Sequence, residues 1–450
     1  MKKILPLISL FILVHFATAQ TTIIQRNAAI ESMIREISAE NLEKYVRDLA
    51  GFRTRHTLSQ NKQKEGIFAS QNYVLDLFKS FEGQSDGRLS AYIDNFTIPA
   101  DGRRIPEDSE LGNVMATLKG TDPNDDRVFI ISAHIDSRAS NVMDAAIDAP
   151  GANDDGSGVA AVIELARIMS KKSYPATIIF VVVSGEEQGL KGAAYLAEKA
   201  KNENWNLVAM LNNDMIGNSH SSETNINDNT RVRIFSEGVP MAETERMAAI
   251  RRYTNGENDS KSRQLARYMK ELGERYVDQL EVKLVYRNDR FLRGGDHTPF
   301  AREGFTAIRV CEMNENYYHQ HEDVRVENGI QYGDLPEFVD FEYMRKITGI
   351  NLASLASLAA APSEPSSVGI DVRRLSNTST LRWEAPETGK AKGYFVLMRE
   401  TDASMWQKKF YTEETSLTIP YSKDNYFFAV QAVGEGGYES MAVFPQPITR

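Results

Sequence analysis

The chain has 450 residues, 42% of them apolar and 25% charged, with a formal charge of −10. That length exceeds a single small core, and the composition excludes wholesale disorder. With no basic patch, nucleic acid is excluded as the expected partner. One cysteine, Cys311, rules out an internal disulfide and any multi-thiolate metal site, so a bound metal must take nitrogen and oxygen ligands.

Residues 1–19 read as a secretory signal peptide: Lys2 and Lys3, an apolar stretch from Ile4 to Phe16, then Ala17-Thr18-Ala19 before Gln20. The apolar run, about 13 residues, is short of the roughly 20 that span a bilayer. The chain is therefore expected to be exported, with no membrane span after cleavage. Export without disulfides points to a bacterial periplasm or exterior.

Residues 20–85 show helical spacing, with apolar positions three and four apart over Ser38–Leu49 and Gln63–Phe81 around a polar connection, Gly51–Gln60. Leu89–Ile98 alternates like a strand, and Asn113–Leu118 and Val128–Ser132 follow it around the turn signal at Asp122–Asp126. Helices are expected at Val159–Met169, Leu190–Lys199, Arg263–Leu272 and Phe341–Leu358, and strands at Ala176–Val183, Val208–Leu211, Glu281–Tyr286 and Thr306–Val310. This alternation specifies an α/β fold whose sheet is mostly parallel and flanked by helices. The stretch 218–295 carries no interpretable motif. A small-residue, proline-bearing linker at 361–366 separates residues 20–360 from residues 367–450. The latter alternate in short segments, as in a small all-β sandwich.

Polar motifs stand just after the apolar strands: HID at His134–Asp136, GANDDGSG at Gly151–Gly158, SGEE at Ser184–Glu187, NND ending at Asp214, and YYHQHED around His319. In open α/β sheets, ligands bind beyond the carboxyl ends of strands, so these motifs are expected to converge. Asp154, Glu187 and Asp214 with neutral His134 and His319 offer three negative charges to a pair of divalent ions, a composition suited to zinc and open to manganese or cobalt. Each motif alone has a plain reading: a helix cap for Asp154 or Asp155, and loop residues for Glu186, His319 and His321. Their joint order is what argues for a site. His56 and His220 are expected to be solvated, and Cys311 a small buried hydrophobe.

HID, GANDDGSG, SGEEQGL, NND, GGDHTPF and YYHQHED together resemble the co-catalytic zinc aminopeptidases of the bacterial leucyl type, metallopeptidase family twenty-eight, over roughly residues 40–360. The resemblance implies a zinc exopeptidase fold and two zinc ions. His134, Asp154 and Asp214 would hold one, and Asp154, Glu187 and His319 the other. It also implies Glu186 as general base, Tyr318 as a group that polarises the substrate carbonyl, and peptide or protein N-termini as substrates. Asp136 is expected to orient His134, and Asp296 and His297 to act in the pocket or behind the ligands. Asn153 departs from the family, in which an acid is common there. Residues 367–450 resemble a fibronectin type III domain, from TLRWEAP to YFFAVQAVGEGGYES, with Trp383, Tyr394 and Tyr426 at aromatic positions. Two enzymatic alternatives share the fold: a carboxypeptidase or dipeptidase, for which Arg138 or Arg309 could hold a substrate carboxylate, and a single-zinc glutaminyl cyclase. A non-enzymatic binding protein would require a damaged ligand set, and none is visible.

Overall fold

The computed structural model describes residues 26–60 and 64–449. The expected signal peptide lies outside them. The described residues open with three helices, α1 (Ala28–Arg35), α2 (Ala39–Ala50) and α3 (Gly66–Ser80). Asn27 and Ser38 cap the first two, each side chain accepting the backbone N–H groups that a helix start leaves unpaired. Then come β1 (Leu89–Ile98), β2 (Ser109–Leu118), β3 (Arg127–His134), α4 (Gly156–Met169), β4 (Thr177–Val183), α5 (Lys191–Asn202) and β5 (Asn206–Asn213). After them lie β6 (Arg231–Ser236), α6 (Glu245–Thr254), α7 (Lys261–Tyr276), β7 (Glu281–Val285), α8 (His297–Arg302) and β8 (Ala307–Glu312). A hairpin of β9 (Arg325–Glu327) and β10 (Ile330–Tyr332) precedes the long α9 (Phe341–Ala360).

The first eight strands form one sheet in the order β1-β2-β4-β3-β5-β8-β6-β7. The central four, β4-β3-β5-β8, are parallel, while β2 and β6 run against their central neighbours. Burial on both faces explains the continuous apolar runs. In β4, Ile178, Phe180 and Val182 join the core beneath α1, α2, α3, α4, α7 and α9, while Ile179, Val181 and Val183 face α5 and α8. The sheet is thus the expected one. β6, α6 and α8 were not among the expected elements.

Beyond α9, seven strands form a second unit: β11 (Ser366–Asp371), β12 (Ser379–Glu384), β13 (Gly393–Glu400), β14 (Lys408–Thr412), β15 (Ser416–Ile419), β16 (Tyr426–Val433) and β17 (Gln446–Ile448). Sheets β15-β12-β11-β17 and β14-β13-β16 pack face to face on a core that includes Leu381, Trp383, Tyr394, Val396 and Phe428. The two units are fastened by a buried ion triad. Asp259 meets Arg267 of α7 at 2.9 Å and Arg399 of β13 at 2.7 Å, with all three side chains at most 2% exposed. No helix among the described residues is long and apolar enough to cross a membrane.

Candidate metal centre

The four parallel strands bring their carboxyl ends together, and four of the five expected ligands sit there. His134 is the last residue of β3 and Asp214 follows β5. Glu186 and Glu187 follow β4, and Asp154 lies in the loop that leads into α4. Asp155 caps α4 through the Gly158 N–H at 3.0 Å, and its carboxylate also accepts the N–H groups of His134 (3.0 Å) and Met215 (3.2 Å). One buried carboxylate thereby pins the ends of two strands and a helix. Gly158 is required by this closeness: a Cβ there would stand 2.5 Å from Asp155 Oδ1 and 2.7 Å from the Asn213 carbonyl oxygen.

Two groups of ligand atoms result, His134–Asp154–Asp214 and Asp154–Glu187–His321, each with its ligand atoms within 4.8 Å of one another. His134 Nε2 stands 3.1 Å from Asp154 Oδ1 and 3.9 Å from Asp214 Oδ1. His321 Nε2 stands 3.0 Å from Asp154 Oδ2 and 2.8 Å from Glu187 Oε1. Glu187 Oε1 is nevertheless buried without a hydrogen-bond partner among the described residues. Nitrogen and oxygen atoms crowded at this range without hydrogen-bond alignment are what ligands about 2.0–2.2 Å from a shared cation look like. The donor set therefore fits divalent metal, with Asp154 common to both groups.

The second imidazole is a correction. His319, expected to be a ligand, instead stacks on Phe338 with ring centroids 3.8 Å apart. Burial pushes its imidazole down to about 4. His321, two residues on, takes its place with the backbone in the left-handed region at φ 57°. Tyr318 moves away with His319. It makes an edge contact with Tyr332 at 5.5 Å and does not line the cavity over the ligands. Gln320, whose Nε2 donates to Asp154 Oδ2 at 3.1 Å, lines it instead.

Asp136 orients His134, but through its backbone: His134 Nδ1 is 3.0 Å from the Asp136 carbonyl oxygen and 3.7 Å from the carboxylate. The carboxylate shapes the next motif, accepting the N–H groups of Gly185, Glu186 and Glu187 at 2.9–3.1 Å and the Thr57 hydroxyl at 3.1 Å. This turns Glu187 toward the ligands and leaves Glu186 on the cavity. Burial holds the Glu186 carboxyl well above its ordinary range, and the Glu187 and Asp214 charges add to the effect.

Asp296 is fully buried and, although it precedes α8, makes no capping bond. Neither of its carboxylate oxygens has a hydrogen-bond partner among the described residues, and burial pushes its pKa up to about 8. His297 is buried with Nε2 2.8 Å from the Asn288 carbonyl oxygen. Both stand behind the ligands rather than on the cavity lining. Arg309, considered above as a substrate anchor, is buried against Asp214 Oδ1 at 2.8 Å and Asp289 Oδ2 at 3.2 Å, so it supports a ligand.

Several supports had no signal in the sequence. Arg55 is buried and donates to the carbonyls of Ile135 and Gly151 at 2.7 and 2.8 Å. Asp334 accepts the Asp154 N–H at 2.7 Å. His56 is fully buried beside the Val142 carbonyl oxygen at 2.8 Å, against the expectation that it is solvated, whereas His220 is exposed. Asn153 has a structural reason. Its Nδ2 donates to both Glu312 oxygens at 3.0 and 3.1 Å while its Oδ1 accepts the Gly217 N–H at 2.8 Å, so an acid there would face Glu312. Cys311 is buried, and burial pushes its thiol up to about 11, an unreactive state.

Residues 113–338, the span that holds these ligands, match the model of peptidase family M28. The chain belongs to that family. A probable zinc metalloprotease of Leptosphaeria maculans is 44% identical over 420 residues, covering 93% of this chain and 97% of the relative. One from Pyrenophora tritici-repentis is 42% identical over 423 residues, covering 93% and 87%. These relatives are fungal and lend no support to a bacterial origin. Among solved structures, the M28 chain is similar in fold to the LapA aminopeptidase of Legionella pneumophila (TM-score 0.53, 17% identity, 75% of this chain and 76% of that one). It is similar to LapB of the same organism (TM-score 0.52, 16% identity, 75% and 76%).

Proposed function

We propose that this M28 chain is an exported zinc aminopeptidase that removes N-terminal residues from peptides with two zinc ions and Glu186 as general base. The observation that carries the reading is the pair of three-ligand groups sharing Asp154, with Glu186 free on the same cavity. His134, Asp154 and Asp214 would hold one ion, and Asp154, Glu187 and His321 the other. Zinc there supplies a Lewis acid for the scissile carbonyl and makes water easier to deprotonate. Glu186 takes the proton from the attacking water and delivers it to the leaving amine. Asp136 fixes Glu186 through its backbone N–H, so the base cannot swing away with its loop.

Four other carboxylates near the centre are engaged elsewhere: Asp136 and Asp155 by backbone N–H groups, Glu312 by Asn153, and Glu315 by arginines. The β-sandwich contributes no residue to the cavity lining and acts as an accessory unit.

The test combines metal content of the mature chain with release of p-nitroaniline from aminoacyl p-nitroanilides, with free and blocked amines. Two zinc ions per chain, cleavage of free-amine substrates alone, and a loss of about 10²–10⁴-fold in kcat for Glu186→Gln with zinc retained are expected. A folded chain that binds no metal would refute the reading, and a single zinc would move it to the cyclase.

A further inference from the structure

The cavity over the ligand groups, about 280 Å3, is also lined by four arginines: Arg104, Arg138, Arg290 and Arg293. Among the described residues, Leu190 is the single apolar side chain on that lining. A space so composed offers little to a leucine-like side chain.

The arginines are under-compensated. Arg290 and Arg293 contact the one carboxylate of Glu315 at 3.2 and 2.9 Å, and Arg233 shares it at 2.9 Å. Arg290 also reaches Asp289 at 3.1 Å, but that carboxylate already serves Arg309. Arg104 donates to the Glu187 carbonyl oxygen, and half-buried Arg138 to the Ala139 carbonyl oxygen at 3.2 Å. Neither has a carboxylate partner among the described residues. On the metallopeptidase reading above, on which this inference rests, Asp154, Glu187 and Asp214 are engaged by cations and do not neutralise the guanidiniums.

We propose that Arg104 and Arg138, backed by Arg290 and Arg293, receive a substrate carboxylate, and that the enzyme prefers peptides with an N-terminal glutamyl or aspartyl residue. A guanidinium presents its donors as a planar fork that matches a carboxylate in two parallel bonds, which an amide cannot reproduce. The same chemistry would accept the C-terminal carboxylate of a short peptide, and the assay separates the two sources.

The probes are glutamyl, glutaminyl and leucyl p-nitroanilides, together with amine-blocked peptides carrying either a free or an amidated C-terminus. The wild-type chain is expected to favour glutamyl over glutaminyl substrate by about tenfold or more in kcat/KM, since hydrogen bonds between charged groups are stronger than those to a neutral amide. In Arg104→Gln/Arg138→Gln that ratio collapses toward one, mainly through KM. Equal ratios in both chains, with leucyl substrate preferred, overturn the arginine assignment and leave the aminopeptidase standing. Cleavage of amine-blocked peptides only when the C-terminus is free keeps the arginine assignment and overturns the aminopeptidase. Titration of zinc-loaded Glu186→Gln with Glu-Ala and Gln-Ala dipeptides reads the same contrast without turnover, and equal affinities there also overturn it.

Discussion

Replacing His321 and His319 separately by alanine discriminates between two imidazoles only two positions apart. His321 Nε2 touches both Asp154 and Glu187, at 3.0 and 2.8 Å, and supplies the one nitrogen of its ligand group. Losing a partner that merely orients a ligand costs about 10–100-fold in metal affinity, and losing the ligand itself costs more. His321→Ala is therefore expected to retain one zinc per chain after dialysis where the parent retains two, with catalysis falling accordingly. His319 makes a stack on Phe338, and such contacts contribute about 0.5–1.5 kcal/mol beyond burial. His319→Ala should thus keep both ions and lose about 1 kcal/mol of stability. Metal analysis of the dialysed proteins, with thermal unfolding alongside, reads both effects. If His319→Ala shed an ion and His321→Ala kept two, the placement of this loop and the ligand assignment drawn from it would be wrong.

Asp259→Ala leaves the guanidiniums of Arg267 and Arg399 buried without their shared anion, and breaking a buried pair this way costs about 3–5 kcal/mol, to be seen as a lowered unfolding midpoint. Glu237 has its carboxyl pushed up to about 7 by burial. The folded chain therefore holds a proton that the unfolded chain releases, and stability falls as pH rises from the ordinary carboxyl range through about 7. Glu237→Gln should remove that loss, so denaturant titrations should show it stabilising at pH 8, by up to about 3 kcal/mol, and near neutral at pH 4. Equal effects at both pH values would refute the assignment.

The sheet was legible because β3 and β4 are covered on both sides, which forces unbroken apolar runs that few other contexts produce. The ligand-bearing strand ends followed from it: His134, Asp154, Glu187 and Asp214 were each tied to a strand or to a helix start. His321 was not legible. The loop from Glu312 to the β9 hairpin is irregular, and nothing in HQHED marks the third residue, rather than the first, for a left-handed backbone. β6 was missed because Arg231 and Arg233 interrupt its apolar pattern and serve outside it, Arg233 against Glu315. Arg55 and Asp334 were missed because they act on backbone groups about 80–180 positions away, a relation that no local pattern encodes. The four cavity arginines come from three separate loops, two of them lying in the stretch where no motif was read.

The carboxylates of Asp136 and Asp155 hold the ends of β3, β4, β5 and α4 by bonds to the main chain. Neither is among the atoms that face a cation. The scaffold of the centre is thus assembled by the polypeptide before any ion arrives, unlike small zinc modules whose folding is metal-driven. Uptake of zinc is then a matter of occupancy and not of chain ordering. A chelator should silence the enzyme while its near-ultraviolet dichroism persists, and returning zinc should restore it without passage through an unfolded state.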